Sequence, residues 1–200
     1  MPHPGSTRRY RPQLEALEER KVPSTGGSTS GFPHPVSGAA VLKGLADLPL
    51  NAGVLRYAES QVGTFRTIDS GECTDLAIEA LKAVHAREDG DFGVPVTATS
   101  HYVWGNVVFQ KSLESGFWNV GSYKNVRPGD IIQLDDFQTS SRAHGWTDAP
   151  HHTAVVESID SGGRLGVIEQ NWNGHKYAER GVFWLNEMTS GVVTVYRPTL

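Results

Sequence analysis

The chain has 200 residues, of which 38% are hydrophobic, so it can bury the core of one modest globular domain. Its 18 basic and 22 acidic side chains leave a formal net charge of −4, which argues against nucleic-acid binding driven by phosphate neutralisation. A single cysteine excludes an internal disulfide framework, and we see no apolar stretch long enough to span a bilayer.

Residues 1–35 are rich in Pro, Gly, Ser and Thr, a composition typical of disordered segments. Within them, residues 8–20 resemble a basic segment found at the start of many large exported bacterial proteins. No apolar stretch follows these arginines, so the segment is not a standard secretory signal, and a solvated linker explains it equally well. We therefore predict a disordered N-terminal segment, 1–35, and a folded domain, 36–200.

Two amphipathic helices are predicted at the start of this domain. Asn51 can cap the first helix, whose apolar positions share one face, and Gly63 would end it. The second helix begins at Cys73 and continues with one apolar stripe: Leu76, Ala77, Ala80, Leu81 and Val84. We expect the two helices to pack side by side.

Strand signals dominate the rest of the chain. Valine-rich or alternating segments predict strands at Tyr102–Phe109, Ile131–Leu134, His152–Ile159, Arg164–Asn171, Gly181–Leu185 and Val192–Arg197. Helices that precede a run of strands indicate an α+β fold, with N-terminal helices packed on one face of an antiparallel β-sheet.

Cys73 lies in the sequence Gly71-Glu72-Cys73-Thr74, at the start of the second predicted helix. A lone cysteine is either a small buried apolar residue or a reactive thiol. A helix N-terminus favours the thiolate, because its unpaired N–H groups and dipole attract negative charge. The same N–H groups can hold the oxyanion formed during acyl transfer.

A histidine and two candidate partners lie on a predicted hairpin. Residues 160–163 have a tight-turn composition, and a two-residue loop at Ser161-Gly162 pairs Ala154 with Glu169. His152, Glu169 and Asn171 then project from one face. A register slip of one residue would place Gln170 beside the histidine instead. The hairpin thus offers the imidazole either a carboxylate or an amide.

Four segments occur in the order found in a known family: residues 71–74, 126–134, 152–157 and 168–174. Together they resemble the CHAP domain, a cysteine- and histidine-dependent amidohydrolase/peptidase module of bacterial and phage cell-wall enzymes. The resemblance implies a papain-like fold with Cys73 as nucleophile and His152 as base. It also implies that Glu169 and Asn171 hold and polarise the imidazole.

The function implied by this resemblance is hydrolysis of amide bonds in peptidoglycan or a related peptide. We accordingly expect an exported or cell-envelope protein that acts as a monomer and needs no cofactor. Trp146 and Trp172 flank the predicted site and could line a substrate groove, as could Gly71 and Glu72. For Trp172, a place in the core is an equally good interpretation.

Other interpretations stay open at this point. Glu72 stands where the CHAP family often has glutamine, and Asp75 and Leu76 stand where it often has aromatic residues. These departures favour a non-catalytic wall-binding or interaction module that retains the fold; an amidase of a non-wall substrate is a third possibility. His144, Asp148, His151 and His152 are zinc-capable types, but Pro150 interrupts them, and we expect no metal.

Overall fold

The computed structural model describes residues 48–92, 102–116 and 118–200. The predicted disordered segment and the predicted start of the domain lie outside these residues. Two helices come first: α1 (Leu50–Gln61) and α2 (Asp75–Ala83). The strands are β1 (Asn106–Ser112), β2 (Val120–Gly121), β3 (Ile131–Ser141), β4 (Gly145–Ile159), β5 (Arg164–Glu169), β6 (Glu179–Trp184) and β7 (Met188–Arg197). Short 3-10 turns occupy Asp89–Phe92, Tyr123–Asn125 and Leu185–Glu187.

All seven strands form one sheet in the order β2-β1-β7-β3-β4-β5-β6. Every pair of neighbouring strands is antiparallel. The C-terminal strand β7 inserts between β1 and β3, so it ties the early strand to the hairpins that follow. The prediction of an α+β fold with helices on an antiparallel sheet is confirmed.

The sheet buries apolar side chains on both faces, because successive residues of a strand point to opposite sides. The buried apolar residues form two clusters, one between the helices and the sheet and one on the opposite face of the sheet. Ile131 belongs to the first cluster, and its neighbour Ile132 belongs to the second. The helix-side cluster contains Val54, Ala58, Leu76, Ala77, Ala80, Leu81, Trp104, Val155, Ile168 and Tyr196. The second cluster contains Phe109, Leu134, Phe137, Ala154, Val156, Leu165, Val167, Phe183, Leu185, Val193 and Val195.

Strand β4 is longer than the sequence predicts. It continues through Pro150, which we expected to interrupt the segment. Its pairing with β3 passes from His151–Asp135 to Ala149–Phe137, so the proline falls between two recorded pairs. Proline has no N–H group and is tolerated at such an irregularity. The opposing Asp136 has a left-handed φ of 47°, which marks the local distortion.

Candidate active site

Cys73 lies in a tight turn immediately before α2, and it is half-buried. The helix begins at Asp75, two residues later than predicted, so Cys73 precedes the helix instead of starting it. The buried carboxylate of Asp75 accepts hydrogen bonds from Ser70 Oγ and from the Glu72 backbone N–H, each at 2.8 Å. The Asp75 backbone N–H donates to the Glu72 carbonyl at 3.2 Å. This aspartate therefore holds the turn that presents the thiol.

His152 lies on β4 and is almost completely buried beside Glu169, the last residue of β5. Its Nε2 lies 2.8 Å from Glu169 Oε2. The hairpin register pairs Ala154 with Glu169, as the turn composition predicts. The predicted two-residue loop is wrong, because Ile159 pairs with Leu165 and the Asp160 N–H donates to the Arg164 carbonyl, which leaves three residues in the loop. A register shift of one residue between Val156 and Ser158 restores the predicted pairing. His152 is thus the diagonal neighbour of Glu169 on the same face of the sheet.

The thiol of Cys73 lies close enough to the ring of His152 to raise the pKa of the imidazole. Since Nε2 faces Glu169, the ring nitrogen left for Cys73 is Nδ1. Burial by itself would lower the pKa of His152, but the interactions with Cys73 and Glu169 outweigh it. The pKa of His152 is raised from 6.5 to about 9. The imidazolium form is therefore favoured at neutral pH, as an ion pair with a thiolate requires.

Glycine at position 181 leaves room for the Glu169 carboxylate. Gly181 pairs with Val167 across β6 and β5, next to the end of β5. A Cβ atom added at Gly181 would lie 1.7 Å from Glu169 Oε1 and 2.7 Å from its Cδ. Any larger residue must displace this carboxylate or shift the strand. The sequence analysis assigned no role at the site to Gly181 or to Asp75, because neither is one of the motif residues with a predicted chemical role.

Asn171 does not pair with His152, although the prediction placed both side chains on one face of the hairpin. Strand β5 ends at Glu169, and Asn171 has a left-handed φ of 61°, so it leaves the face shared by His152 and Glu169. Its amide Nδ2 donates instead to Glu72 Oε2 at 3.0 Å. Lys176 Nζ lies 3.3 Å from the other oxygen of that carboxylate. The charge of Glu72 is therefore directed towards surface partners.

The two tryptophans predicted to flank the site have different surroundings. The half-buried ring of Trp172 lies 4.8 Å from the His152 ring, centroid to centroid, and packs edge-on against Phe183. Trp146 is exposed and lies on β4, six residues before His152. At about 3.3 Å per strand residue the separation is roughly 20 Å. Trp172 is thus next to the imidazole, whereas Trp146 is remote from it.

Gly71, predicted to contact substrate, serves the backbone of the cysteine turn. Its φ is 84°, and its N–H donates to the Ile68 carbonyl at 3.0 Å. A Cβ atom there would lie 2.8 Å from Thr67 Cγ2. Glycine is required here because other residues disfavour this conformation and would also meet Thr67.

The zinc-capable residues of the sequence do not converge. His144 pairs with Glu187 at 2.7 Å, and His151 pairs with Asp135 at 3.0 Å. Within residues 48–92, 102–116 and 118–200, we find no group of three or more His, Cys, Asp or Glu residues arranged to hold a metal ion. Each of these histidines instead has a carboxylate partner of its own, and that of His152 is Glu169.

A family model described as the AIM3/BBC1 cysteine proteinase-fold domain matches residues 49–200. The chain belongs to this family. The AIM3/BBC1 domain is also 28% identical over 152 residues to Altered inheritance of mitochondria protein 3 from Debaryomyces hansenii. That match covers 72% of the chain and 15% of the relative, so the chain spans only a small part of the curated relative's length.

Two solved structures are partly similar to this chain. One is described as the crystal structure of Ly7917, and the other as Ly7917 with the hydrolyzing product of MDP. They are 21% and 22% identical to this chain, the matches cover 74% of it and 62% and 63% of their own chains, and each has a TM-score of 0.46.

The comparisons correct the family and the location that were predicted from the sequence. A cysteine proteinase fold is shown, but the match is to the AIM3/BBC1 family rather than to a CHAP domain. The expectation of an exported or cell-envelope protein was wrong, because the curated relative is a yeast protein named for the inheritance of mitochondria. No helix among the described residues is both long enough and apolar enough to cross a membrane.

Proposed function

We propose that this AIM3/BBC1-family domain is a cysteine hydrolase that cleaves amide bonds in a peptide or protein substrate unrelated to cell walls. One observation carries the proposal: His152 lies between the thiol of Cys73, which raises the pKa of its imidazole, and the carboxylate of Glu169, which is 2.8 Å from its Nε2. A nucleophile, a base and a group that orients the base are the recurring parts of such an enzyme. A cysteine that served only as core packing would need neither an imidazole nor a buried carboxylate behind it.

The proposed reaction begins from a thiolate–imidazolium pair, which the raised pKa of His152 favours. Cys73 Sγ attacks the amide carbonyl carbon, and the carbonyl π electrons move to the oxygen. As the tetrahedral intermediate collapses, the C–N bond breaks and His152 donates its Nδ1 proton to the leaving amine. This step leaves an acyl thioester on Cys73 and a neutral imidazole.

Hydrolysis of the thioester restores the enzyme. Neutral His152 accepts a proton from water while the water oxygen attacks the thioester carbonyl. The C–S bond then breaks, which releases a carboxylic acid and regenerates the thiolate–imidazolium pair. Throughout both steps Glu169 accepts a hydrogen bond from Nε2–H, so Nδ1 stays on the side of the thiol.

Peptidoglycan is a less suitable substrate than the CHAP resemblance implies. The curated relative is a yeast protein, and its name refers to mitochondria rather than to a wall. The net charge of −4 also gives no electrostatic attraction to an acidic wall polymer. We therefore propose a peptide or protein amide as the substrate class.

The experiment compares the wild-type chain with Cys73→Ala in a library of peptides prepared from a yeast proteome. Mass spectrometry of newly formed N-termini should detect products with wild type and none above background with the variant. Trapping with acid should recover an acyl group on Cys73. Identical product profiles for both proteins would refute hydrolysis by Cys73, and sacculi in a parallel incubation test the wall substrate.

A second candidate is a non-catalytic protein-interaction module, which the extent of the curated match favours. The matched region is only 15% of a much longer protein, as expected for a small module within it. The two candidates differ in thiol chemistry. Native Cys73 that is inert to iodoacetamide at neutral pH would support the interaction module, whereas rapid alkylation supports the hydrolase.

A further inference from the structure

Gln170 is a completely buried glutamine whose side-chain amide is bonded to the segment that precedes the nucleophile. Its Oε1 accepts a hydrogen bond from the Ile68 N–H at 3.0 Å. Its Nε2 donates to the Ile68 carbonyl at 3.1 Å and to the Glu72 carbonyl at 3.0 Å. One side chain thus engages backbone groups at both ends of residues 68–72.

Gln170 and its partner Glu72 are each the chain neighbour of a residue at the candidate site. It directly follows Glu169, the carboxylate that is bonded to His152. Glu72, whose carbonyl it holds, directly precedes Cys73. The amide therefore bridges the backbone next to the orienting carboxylate and the backbone next to the thiol. Among the described residues, the other side-chain bonds between residues 68–73 and residues 169–176 are those of Asn171 and Lys176 to Glu72, and both are exposed.

Burial makes this bridge stronger than the contacts around it. The Asn171 and Lys176 contacts to Glu72 lie at the surface, where water and salt weaken them. The two bonds of Gln170 to Ile68 are buried, its bond to the Glu72 carbonyl is partly buried, and each satisfies a backbone group. Removing the amide would leave the buried Ile68 N–H without this acceptor, which is the costly case, whereas the Ile68 and Glu72 carbonyls would still accept from the Gly71 and Asp75 N–H groups.

We propose that Gln170 is a positioning residue that keeps Cys73 Sγ within hydrogen-bonding reach of His152. It does not touch a reacting atom in this role. Instead it acts through the backbone of residues 68–72 and through its covalent neighbour Glu169. The inference deepens the proposed hydrolase function and relies on its thiol–imidazole pair, but its test needs no substrate.

The test measures the rate of Cys73 alkylation by iodoacetamide in the full chain at about pH 6 and about pH 9. At the lower pH an ordinary thiol, with a pKa near 8.5, is almost wholly protonated, so fast alkylation reports the imidazolium partner. Gln170→Met keeps the length of the side chain and removes the amide. We expect its rate at about pH 6 to fall roughly tenfold or more, while the rate at about pH 9 stays within about twofold.

Gln133→Met is the matched control, because Gln133 is an equally buried glutamine that accepts hydrogen bonds from Trp104 Nε1 and Thr153 Oγ1. Its amide makes no recorded bond to residues 68–72. We expect this variant to lose comparable thermal stability and to retain the fast alkylation at acid pH. A purely structural role for Gln170 predicts that both variants behave alike.

Gln170→Glu is the second variant if Gln170→Met does not fold. It has nearly the same shape and keeps an acceptor for the Ile68 N–H, but it places an acceptor oxygen against the Ile68 and Glu72 carbonyls, so we expect the rate at about pH 6 to fall in this variant too. The proposal is overturned if folded Gln170 variants keep the wild-type ratio of rates, or if Gln133→Met loses the ratio equally. Failure to find any cleaved peptide would count against the hydrolase, but it would leave this ratio measurable.

Discussion

Replacing Glu169 with glutamine isolates the contribution of one buried charge to the candidate site. Glu169→Gln preserves side-chain size and an oxygen that can accept the Nε2–H bond of His152, which is 2.8 Å long in the structure. It removes only the negative charge. The Glu169 carboxylate fills the space that a Cβ atom at residue 181 would occupy, so a side chain of the same size is needed.

The expected magnitude follows from the raised pKa of His152. The increase from 6.5 to about 9 is roughly 2.5 units, and at 1.36 kcal/mol per unit the imidazolium gains about 3 kcal/mol over the neutral ring. Cys73 and Glu169 supply this gain against the cost of burial. Because the two groups also offset the cost of burial, half of the net gain, somewhat under about 2 kcal/mol, is a lower bound for Glu169, so we expect the pKa of His152 to fall by at least about one unit in the variant.

The assay is an NMR titration of histidine labelled with 13C at Cε1, with His152 assigned by the loss of its signal in His152→Gln. The variant should titrate at least about one unit below wild type. In the proposed hydrolase, the same change should lower kcat at about pH 8 several-fold, since less imidazolium is available to protonate the leaving amine. A His152 titration that does not move in Glu169→Gln would refute the electrostatic reasoning.

Three further predictions concern the surroundings of this pair. Gly181→Ala should displace the Glu169 carboxylate and destabilise the domain by about 1–3 kcal/mol, as urea unfolding would measure; unchanged stability together with unchanged alkylation of Cys73 would contradict the close contact. Trp172→Ala should slow alkylation at about pH 6, because the ring of His152 loses the aromatic neighbour that packs against it and limits its movement, whereas Trp146→Ala should match wild type; equal effects would contradict the assigned positions. Because the pKa of His152 is raised on folding, its contribution is fully present below about pH 6.5 and is lost as pH rises through about 9. Wild type should therefore lose up to about 3 kcal/mol relative to His152→Gln across that range in urea titrations, and parallel stability curves would contradict it.

The helices and the hairpin that carries His152 and Glu169 could be predicted because their signals are local. Apolar periodicity indicated α2 to within two residues, and the turn composition located the hairpin. The pairing of Ala154 with Glu169 agrees with the prediction only because a register shift between Val156 and Ser158 compensates for a loop one residue longer than predicted. The start of the helix was placed too early because the bonds of Asp75 to Ser70 and Glu72 hold a turn there, which periodicity does not report. The length of β4 was underestimated because Pro150 is accommodated at an irregularity.

The partner of the histidine required tertiary information. Sequence left Glu169 and Asn171 as alternatives, since both lie on one face if the strand continues. The strand ends after Glu169, and the left-handed backbone at Asn171 turns its amide towards Glu72. Gln170 entered the sequence analysis only as a residue that a register slip would bring to His152. Its bonds to Ile68 and Glu72 join segments about 100 residues apart.

By itself, the order of apolar and polar residues determined the α+β class, the hairpin and the three chemical groups that candidate catalysis needs. These features depend on neighbouring residues in the chain, where periodicity and turn composition act. Only the tertiary structure decided that the thiol, the imidazole and one particular carboxylate are joined, with Gly181 and Gln170 in supporting positions. Such contacts depend on where separate segments pack, and that depends on the burial of the whole core rather than on any single motif.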